Sequence, residues 1–216
     1  MKSRTRPPDA YMPLNGLAGR SVSVRNGDHS TPMSKRCRTL FLVRHGQYSS
    51  EGLTRVGKMQ ASHTARRIRH VPATSIHCST MKRAVQTAQI IAREHRGLPL
   101  RRASLLRECV PGLPPALRKG STVSVETMTR GKDQADRAYR RYFKCSVGRD
   151  ACDVLVCHGN LIRYLVCRAL ALGTYAWCSL GSAHCGITEI RIMANGELVL
   201  VSYNDTGHLP EKLRAT

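Results

Sequence analysis

The stretch Thr39-Leu40-Phe41-Leu42-Val43-Arg44-His45-Gly46 decides the fold. Leu40 to Val43 run apolar without polar alternation, which predicts a short strand buried on both faces, and that strand ends in Arg-His-Gly. A second stretch repeats the pattern: Asp153-Val154-Leu155-Val156-Cys157 is an apolar run that ends in His158-Gly159. Strands covered on both faces belong to mainly parallel sheets flanked by helices. In open sheets of that kind ligands gather beyond the carboxyl ends of the strands, so both His-Gly pairs are expected at one functional edge.

The flanking sequence supplies the helices. Thr54 is placed to cap a helix whose inner stripe is Gly57, Gln60, Ala61, Thr64, Ala65 and Ile68, with Pro72 closing it. Ser75 to Cys78 reads as a further strand, and Ser79 or Thr80 is expected to open a helix carrying Arg83, Thr87 and Ile91 on related turns. Pro111 to Gly131 is rich in proline and glycine and predicts an irregular flap. Ala135, Ala138, Tyr139, Tyr142 and Phe143 mark one face of a helix, with Arg137, Arg140 and Arg141 turned elsewhere. Asn160 is expected to cap a helix running through Leu170. Ile187 to Ile192 and Leu198 to Tyr203 flank Asn195-Gly196, a pair suited to a hairpin turn, so antiparallel strands are expected at one end of the sheet.

Composition limits the alternatives. With 216 residues, 41% of them hydrophobic and 23% charged, the chain can bury one core with an appendage. Lys and Arg total 35 against 14 Asp and Glu, a net charge of +21 that favours anionic partners. Residues 1–36 carry Pro7, Pro8, Pro13 and Pro32 among basic residues without sustained periodicity, and predict a mobile basic tail ahead of a domain over 37–216. The tail is poor in acids, as mitochondrial targeting segments are, but its prolines interrupt the amphipathic helix such segments need. The longest uncharged stretch, Ala169 to Thr188, is broken by glycines and polar residues and makes a poor membrane span. Nine scattered cysteines without a C-x-x-C pair point to buried thiols in a reducing compartment.

Four motifs occur in order along this α/β pattern: Arg44-His45-Gly46, Ser79-Thr80-Met81-Lys82-Arg83-Ala84 with Thr87-Ala88, Leu106-Arg107-Glu108, and His158-Gly159-Asn160. Together they resemble the histidine phosphatase superfamily, also called phosphoglycerate mutase-like, over residues 38–205. Within it, Arg44 to Tyr48, Leu105 to Glu108, Ile162-Arg163-Tyr164, Val166 to Leu170 and Asn204-Asp205-Thr206-Gly207 resemble its mitochondrial serine/threonine protein phosphatases. The resemblance implies a three-layer sandwich, a catalytic domain over 37–216, and removal of phosphate from phosphoserine, phosphothreonine or phosphohistidine in a protein or peptide. It implies a mitochondrial location, with a cytoplasmic one as the alternative.

The chemistry asks for the same residues. Covalent phosphoryl transfer needs a nucleophile that is neutral near pH 7, and imidazole meets that requirement, so His45 is the candidate. Guanidinium groups bind two phosphoryl oxygens at once, which assigns phosphate binding to Arg44 and Arg83, and their charge should depress the pKa of His45. The resemblance makes His158 the second histidine, binding phosphate and stabilising transition-state charge. Glu108 would protonate the leaving oxygen and then take a proton from water. With charge neutralised by these groups, neither a metal nor another cofactor is expected.

The sequence also departs from these phosphatases. The loop between His45 and Leu53-Thr54 looks shortened, and with Trp177 as the only tryptophan the tryptophan-bearing assembly motif has no counterpart. Membrane anchoring and large assemblies are therefore not expected, and homo-oligomerisation stays open. A small-molecule phosphatase or a phosphoglycerate mutase-type enzyme is the alternative within the superfamily; for a mutase, Pro111 to Gly131 offers little material to enclose a small acid. A non-catalytic module binding nucleic acid or membrane is the alternative outside it. Aromatic residues make up only 5% of the chain and no nucleic-acid-binding signature is present, so no specific nucleic-acid partner is expected.

Overall fold

The computed structural model describes residues 35–173 and 175–214. Of the expected tail, residues 1–34 lie outside the described residues, and its last two, Lys35–Arg36, form a short strand, β1. There follow β2 (Arg38–Arg44), the short pair β3 (Tyr48–Ser49) and β4 (Gly52–Leu53), α1 (Arg55–Ile68), β5 (Ser75–Ser79), α2 (Lys82–Ala92) and β6 (Leu100–Ala103). Next come α3 (Pro115–Arg118), α4 (Val125–Tyr142), β7 (Ser146–Val147), β8 (Ala151–Cys157), α5 (Gly159–Ala169), β9 (Ile187–Ile192) and β10 (Leu198–Asp205). β1 pairs with β7 outside the main sheet.

The main sheet has the order β10-β9-β2-β8-β5-β6. β2, β8, β5 and β6 are parallel, and β9 and β10 form the antiparallel hairpin at one end. Side chains alternate across the sheet, so each apolar run feeds two cores. Leu40, Leu42, Leu155 and Cys157 pack with Ala135, Ala138, Leu161 and Leu165 of α4 and α5. Val43, Ile76, Cys78, Val154 and Val156 pack on the other side with Ala65, Ile68, Ala88 and Ile91 of α1 and α2. This is the expected three-layer α/β arrangement, and the double covering explains why β2 and β8 carry no polar alternation.

The buried residues of α1 are the six of its predicted stripe, and Thr54 accepts the capping bond from the Gly57 N–H at 3.0 Å. Other helix starts differ from expectation. α2 starts at Lys82 after a Met81 cap, because Ser79 still belongs to β5 and its hydroxyl accepts from the Met81 N–H. α5 starts at Gly159 with His158 as its cap, while Asn160 lies inside the helix and accepts from Arg163. α4 begins at Val125, capped by Ser124, so the irregular segment ends earlier than Gly131. Gly131 serves close packing within the helix: a Cβ there would lie 2.6 Å from the Val110 carbonyl oxygen.

Candidate active site

Parallel register assembles the site. Arg44 pairs with Cys157, and the His45 N–H donates to the Cys157 carbonyl at 3.0 Å, so the two His-Gly corners lie side by side at the carboxyl ends of β2 and β8. The chain after His45 packs on the first turn of α1. A Cβ on Gly46 would sit 2.6 Å from the Gly57 oxygen, and one on Gly57 would sit 1.9 Å from the Gln47 oxygen. The Gly46 N–H also donates to Thr87 of α2 at 3.1 Å, tying the corner to the helix that carries Arg83.

His45 is 2% exposed. Its Nδ1 lies 2.9 Å from the Gly46 carbonyl, which can only accept, so Nδ1 carries the proton. Its Nε2 accepts from Arg83 Nε at 2.9 Å and therefore has its lone pair free of a proton. Burial drives the ring's pKa from 6.5 to about 2, with the charges of His158, Arg83 and His184 acting in the same direction against the Gly46 carbonyl. The ring is neutral throughout the physiological range.

His158 is fully buried, its ring centroid 5.0 Å from that of His45. Its Nε2 lies 2.8 Å from the Ser79 hydroxyl, and Nδ1 has no hydrogen-bond partner. Burial, followed by the charges of Arg83, Arg107 and Arg44, lowers its pKa to about 3. Arg44 donates to the Ser182 carbonyl through one terminal nitrogen, while its Nε is buried without a partner. Burial lowers the Arg44 pKa, and Glu108 is the strongest charge opposing that shift. Arg44 Nε and His158 Nδ1 are two of seven buried polar side-chain atoms without a partner among the described residues, so both have hydrogen-bonding capacity left for a ligand.

Glu108 follows the 3-10 turn Ser104–Leu106 and accepts from the Cys109 N–H at 3.2 Å. Burial raises its pKa; the N–H groups of Cys109, Leu161 and Asn160 and the charge of Arg83 oppose the rise. Of the five residues predicted from the sequence, His45 and Arg83 are in direct contact and His158 stacks edge-on beside them. Arg44 and Glu108 make no hydrogen bond to these three among the described residues, though both feel the charge of Arg83.

Three further residues shape the site. His184, from the loop before β9, lies 3.1 Å through Nδ1 from the His45 carbonyl and 5.4 Å between ring centroids. Nothing in its local sequence distinguishes it. Ser79 supports His158, a role hidden behind its apparent fitness as a helix cap. Tyr48 stands edge-on to His45 at 5.0 Å, under the guanidinium of Arg83 at 4.4 Å from the ring centre. Tyr48 and Arg83 also line, with Lys82 and Arg107, an open groove of about 370 Å³. Among the described residues no group of three His, Cys, Asp or Glu side chains is placed to hold a metal ion, and no helix is long and apolar enough to cross a membrane.

The model of the histidine phosphatase superfamily (branch 1) matches residues 40–114. The chain is 31% identical over 221 aligned positions to the serine/threonine-protein phosphatase PGAM5, mitochondrial, of Homo sapiens, covering 94% of this chain and 76% of the relative. The corresponding protein of Drosophila virilis is 32% identical over 202 positions, covering 87% of this chain and 70% of the relative. The chain belongs to the histidine phosphatase superfamily. That membership supports phosphatase activity. Among solved structures, the phosphoglycerate mutase of Plasmodium falciparum matches with a TM-score of 0.60 at 29% identity, over 82% of this chain and 96% of that one. A putative alpha-ribazole-5'-P phosphatase of Escherichia coli matches with a TM-score of 0.63 at 17% identity, over 78% and 96%, a likeness of fold alone.

Proposed function

We propose that the chain hydrolyses phosphoserine and phosphothreonine in proteins, without a metal, through a phosphohistidine formed at His45. The observation that carries this reading is the state of the His45 ring. A neutral imidazole, oriented by its own backbone, presents an unprotonated Nε2 beside one guanidinium and a second buried histidine.

In the first step the Nε2 lone pair forms a bond to phosphorus while the ester P–O bond breaks. Glu108, whose raised pKa favours its protonated form, gives its proton to the departing seryl or threonyl oxygen. Arg83 transfers its hydrogen bond from Nε2 to the phosphoryl oxygens, and Arg44 Nε and His158 supply further donors. In the second step water attacks phosphorus, Glu108 takes the water's proton, the P–N bond breaks and its electron pair returns to Nε2. Inorganic phosphate leaves and the ring is neutral again.

The relatives named as serine/threonine-protein phosphatases support a protein substrate, and the open groove lined by Tyr48 and Arg83, both in contact with His45, would seat the larger molecule that presents the phosphorylated side chain. The test is rapid labelling of the full chain with phosphate-labelled phosphoserine and phosphothreonine peptides and with 3-phosphoglycerate, quenched in alkali. Alkali-stable, acid-labile label from the peptides is expected. Label from 3-phosphoglycerate alone would move the substrate to small phosphate esters. Peptide turnover without trapped label would overturn the covalent route.

A further inference from the structure

The parallel strands that end at His45 and His158 begin at a second concentration of charge. Arg38 opens β2, and Asp153 lies near the start of β8. His77 of β5 and Arg101 of β6 are register partners, while Arg141 and Lys144 come from the end of α4 and the turn after it. These side chains line a cavity of about 300 Å³, the lower end of the size range of small-molecule sites. Arg38 lies about 20 Å along the strand from Arg44, while His77 and Arg101 sit across the sheet at the level of Leu42, and the cavity is lined by none of the residues of the catalytic corner.

Among the described residues, Asp153 is the only acid lining the cavity, against three arginines and a lysine. Its carboxylate is already engaged: one oxygen takes Arg38, and the other accepts from Ser75 at 2.7 Å. Asp153 thus fixes Arg38 but leaves Arg101, Arg141 and Lys144 without a counter-charge, and none of the three forms an ion pair among the described residues. Their side chains are exposed. The fields of these groups converge. Besides its burial, His77 feels Asp153 in one direction and Arg101, Arg141 and Arg38 in the other. On α4, by contrast, Arg130, Lys132 and Arg137 each pair with an acid one turn away; exposed cations such as Arg66 and Arg96 also stand without an ion pair among the described residues but do not line this cavity with other cations.

We propose that this cavity is a second anion site, binding a small ligand that carries adjacent phosphoryl groups. Guanidinium and ammonium groups converging from two strands and a helix match several oxyanions held close together. The concave shape, walled on one side by the edge-to-face pair of His77 and Tyr142 at 5.3 Å, favours a compact ligand over an extended polymer.

The test is calorimetric titration of the full chain with tripolyphosphate, with ATP and with a single-stranded oligonucleotide, each repeated in saturating vanadate, which competes at the catalytic pocket. Tripolyphosphate is expected to show a component that vanadate does not displace. The double substitution Arg101→Ala with Arg141→Ala should weaken that component by about tenfold or more. Lys144→Glu, a single exposed change, should weaken it in the same direction. Arg66→Ala with Arg96→Ala removes the same charge elsewhere and should leave it nearly unchanged. Equal affinity for tripolyphosphate and ATP means that the phosphate chain alone is read; tighter ATP binding adds a nucleoside contact. An equal loss in the control pair, displacement of all binding by vanadate, or binding of the oligonucleotide alone would overturn the proposal.

Discussion

The two His-Gly corners share a local sequence, a position at the end of a parallel strand and a buried ring, yet their histidines present opposite atoms. His45 spends Nδ1 on its own backbone and faces the pocket with Nε2. His158 spends Nε2 on Ser79 of the neighbouring strand and keeps an unpartnered Nδ1. The difference arises from what each corner packs against. The β2 corner turns into a loop pressed on α1 by Gly46 and Gly57, whereas the β8 corner runs straight into α5 with His158 as cap. One motif therefore presents two different ring nitrogens, and the hydrogen bond made by the other nitrogen decides which.

The largest effect expected is the one that separates the corners. His45→Ala should take phosphopeptide turnover to the detection floor and abolish alkali-stable labelling, with circular dichroism unchanged. His158→Ala should lower turnover by about a hundred- to a thousandfold, as loss of one transition-state donor does, while still forming label slowly. If the His158 variant lost all label and the His45 variant kept it, the nucleophile would belong to the other corner.

The next effect sharpens the division of labour, because Glu108 belongs electrostatically to the β8 corner, where the N–H groups of Asn160 and Leu161 act on it. An aryl phosphate releases a stable phenolate that needs little protonation, whereas phosphoserine releases a poor alkoxide. Glu108→Gln should reduce single-turnover phosphorylation from a phosphoserine peptide by about a hundred- to ten-thousandfold, and from p-nitrophenyl phosphate by distinctly less. Equal losses on both would make Glu108 an organiser of the pocket instead of its proton donor.

Much of the fold is legible in the sequence, and the omissions have physical causes. β2, β8 and the inner stripe of α1 announce themselves because periodic burial leaves a periodic sequence. β6 does not, because its two central residues are Arg101 and Arg102, exposed charges in a short edge strand. The first two turns of α4 were hidden by Gly131, whose composition signals a break although it serves contact with Val110. For the candidate site, motif order singles out Arg44, His45, Arg83, Glu108 and His158, and the fold brings His45, Arg83 and His158 side by side. Their pairing is not legible in the motifs, since the contact of Arg83 with His45 and the support of His158 by Ser79 depend on strand register. His184 is a lone histidine in a loop, and only the fold brings it to His45.

The smallest effect expected tests whether both corners hold neutral rings, and it reads stability instead of turnover. Folding lowers the pKa of His158 from 6.5 to about 3 and that of His45 to about 2. Below pH 6.5 the unfolded chain therefore binds protons that the folded chain refuses, so each ring withdraws stability as pH falls, with none lost above that value. The loss amounts to about 1.4 kcal/mol per ring for each pH unit below 6.5. Glu108 acts with the opposite sign, since its folded pKa is raised, and His77, His95, His184 and His208, all lowered by burial, act with the same sign as the two rings, so the total loss of the wild type mixes them all. A difference between variants isolates one ring. Denaturant unfolding at about pH 7.5 and about pH 5.5 should show the wild type losing about 1.4 kcal/mol more than His158→Asn, whose side chain does not titrate. If the two proteins lost stability equally, His158 would be taking up its proton in the folded state as readily as in the unfolded one. The β8 corner would then carry a cation beside His45, and the two rings would differ in charge as well as in the atoms they present.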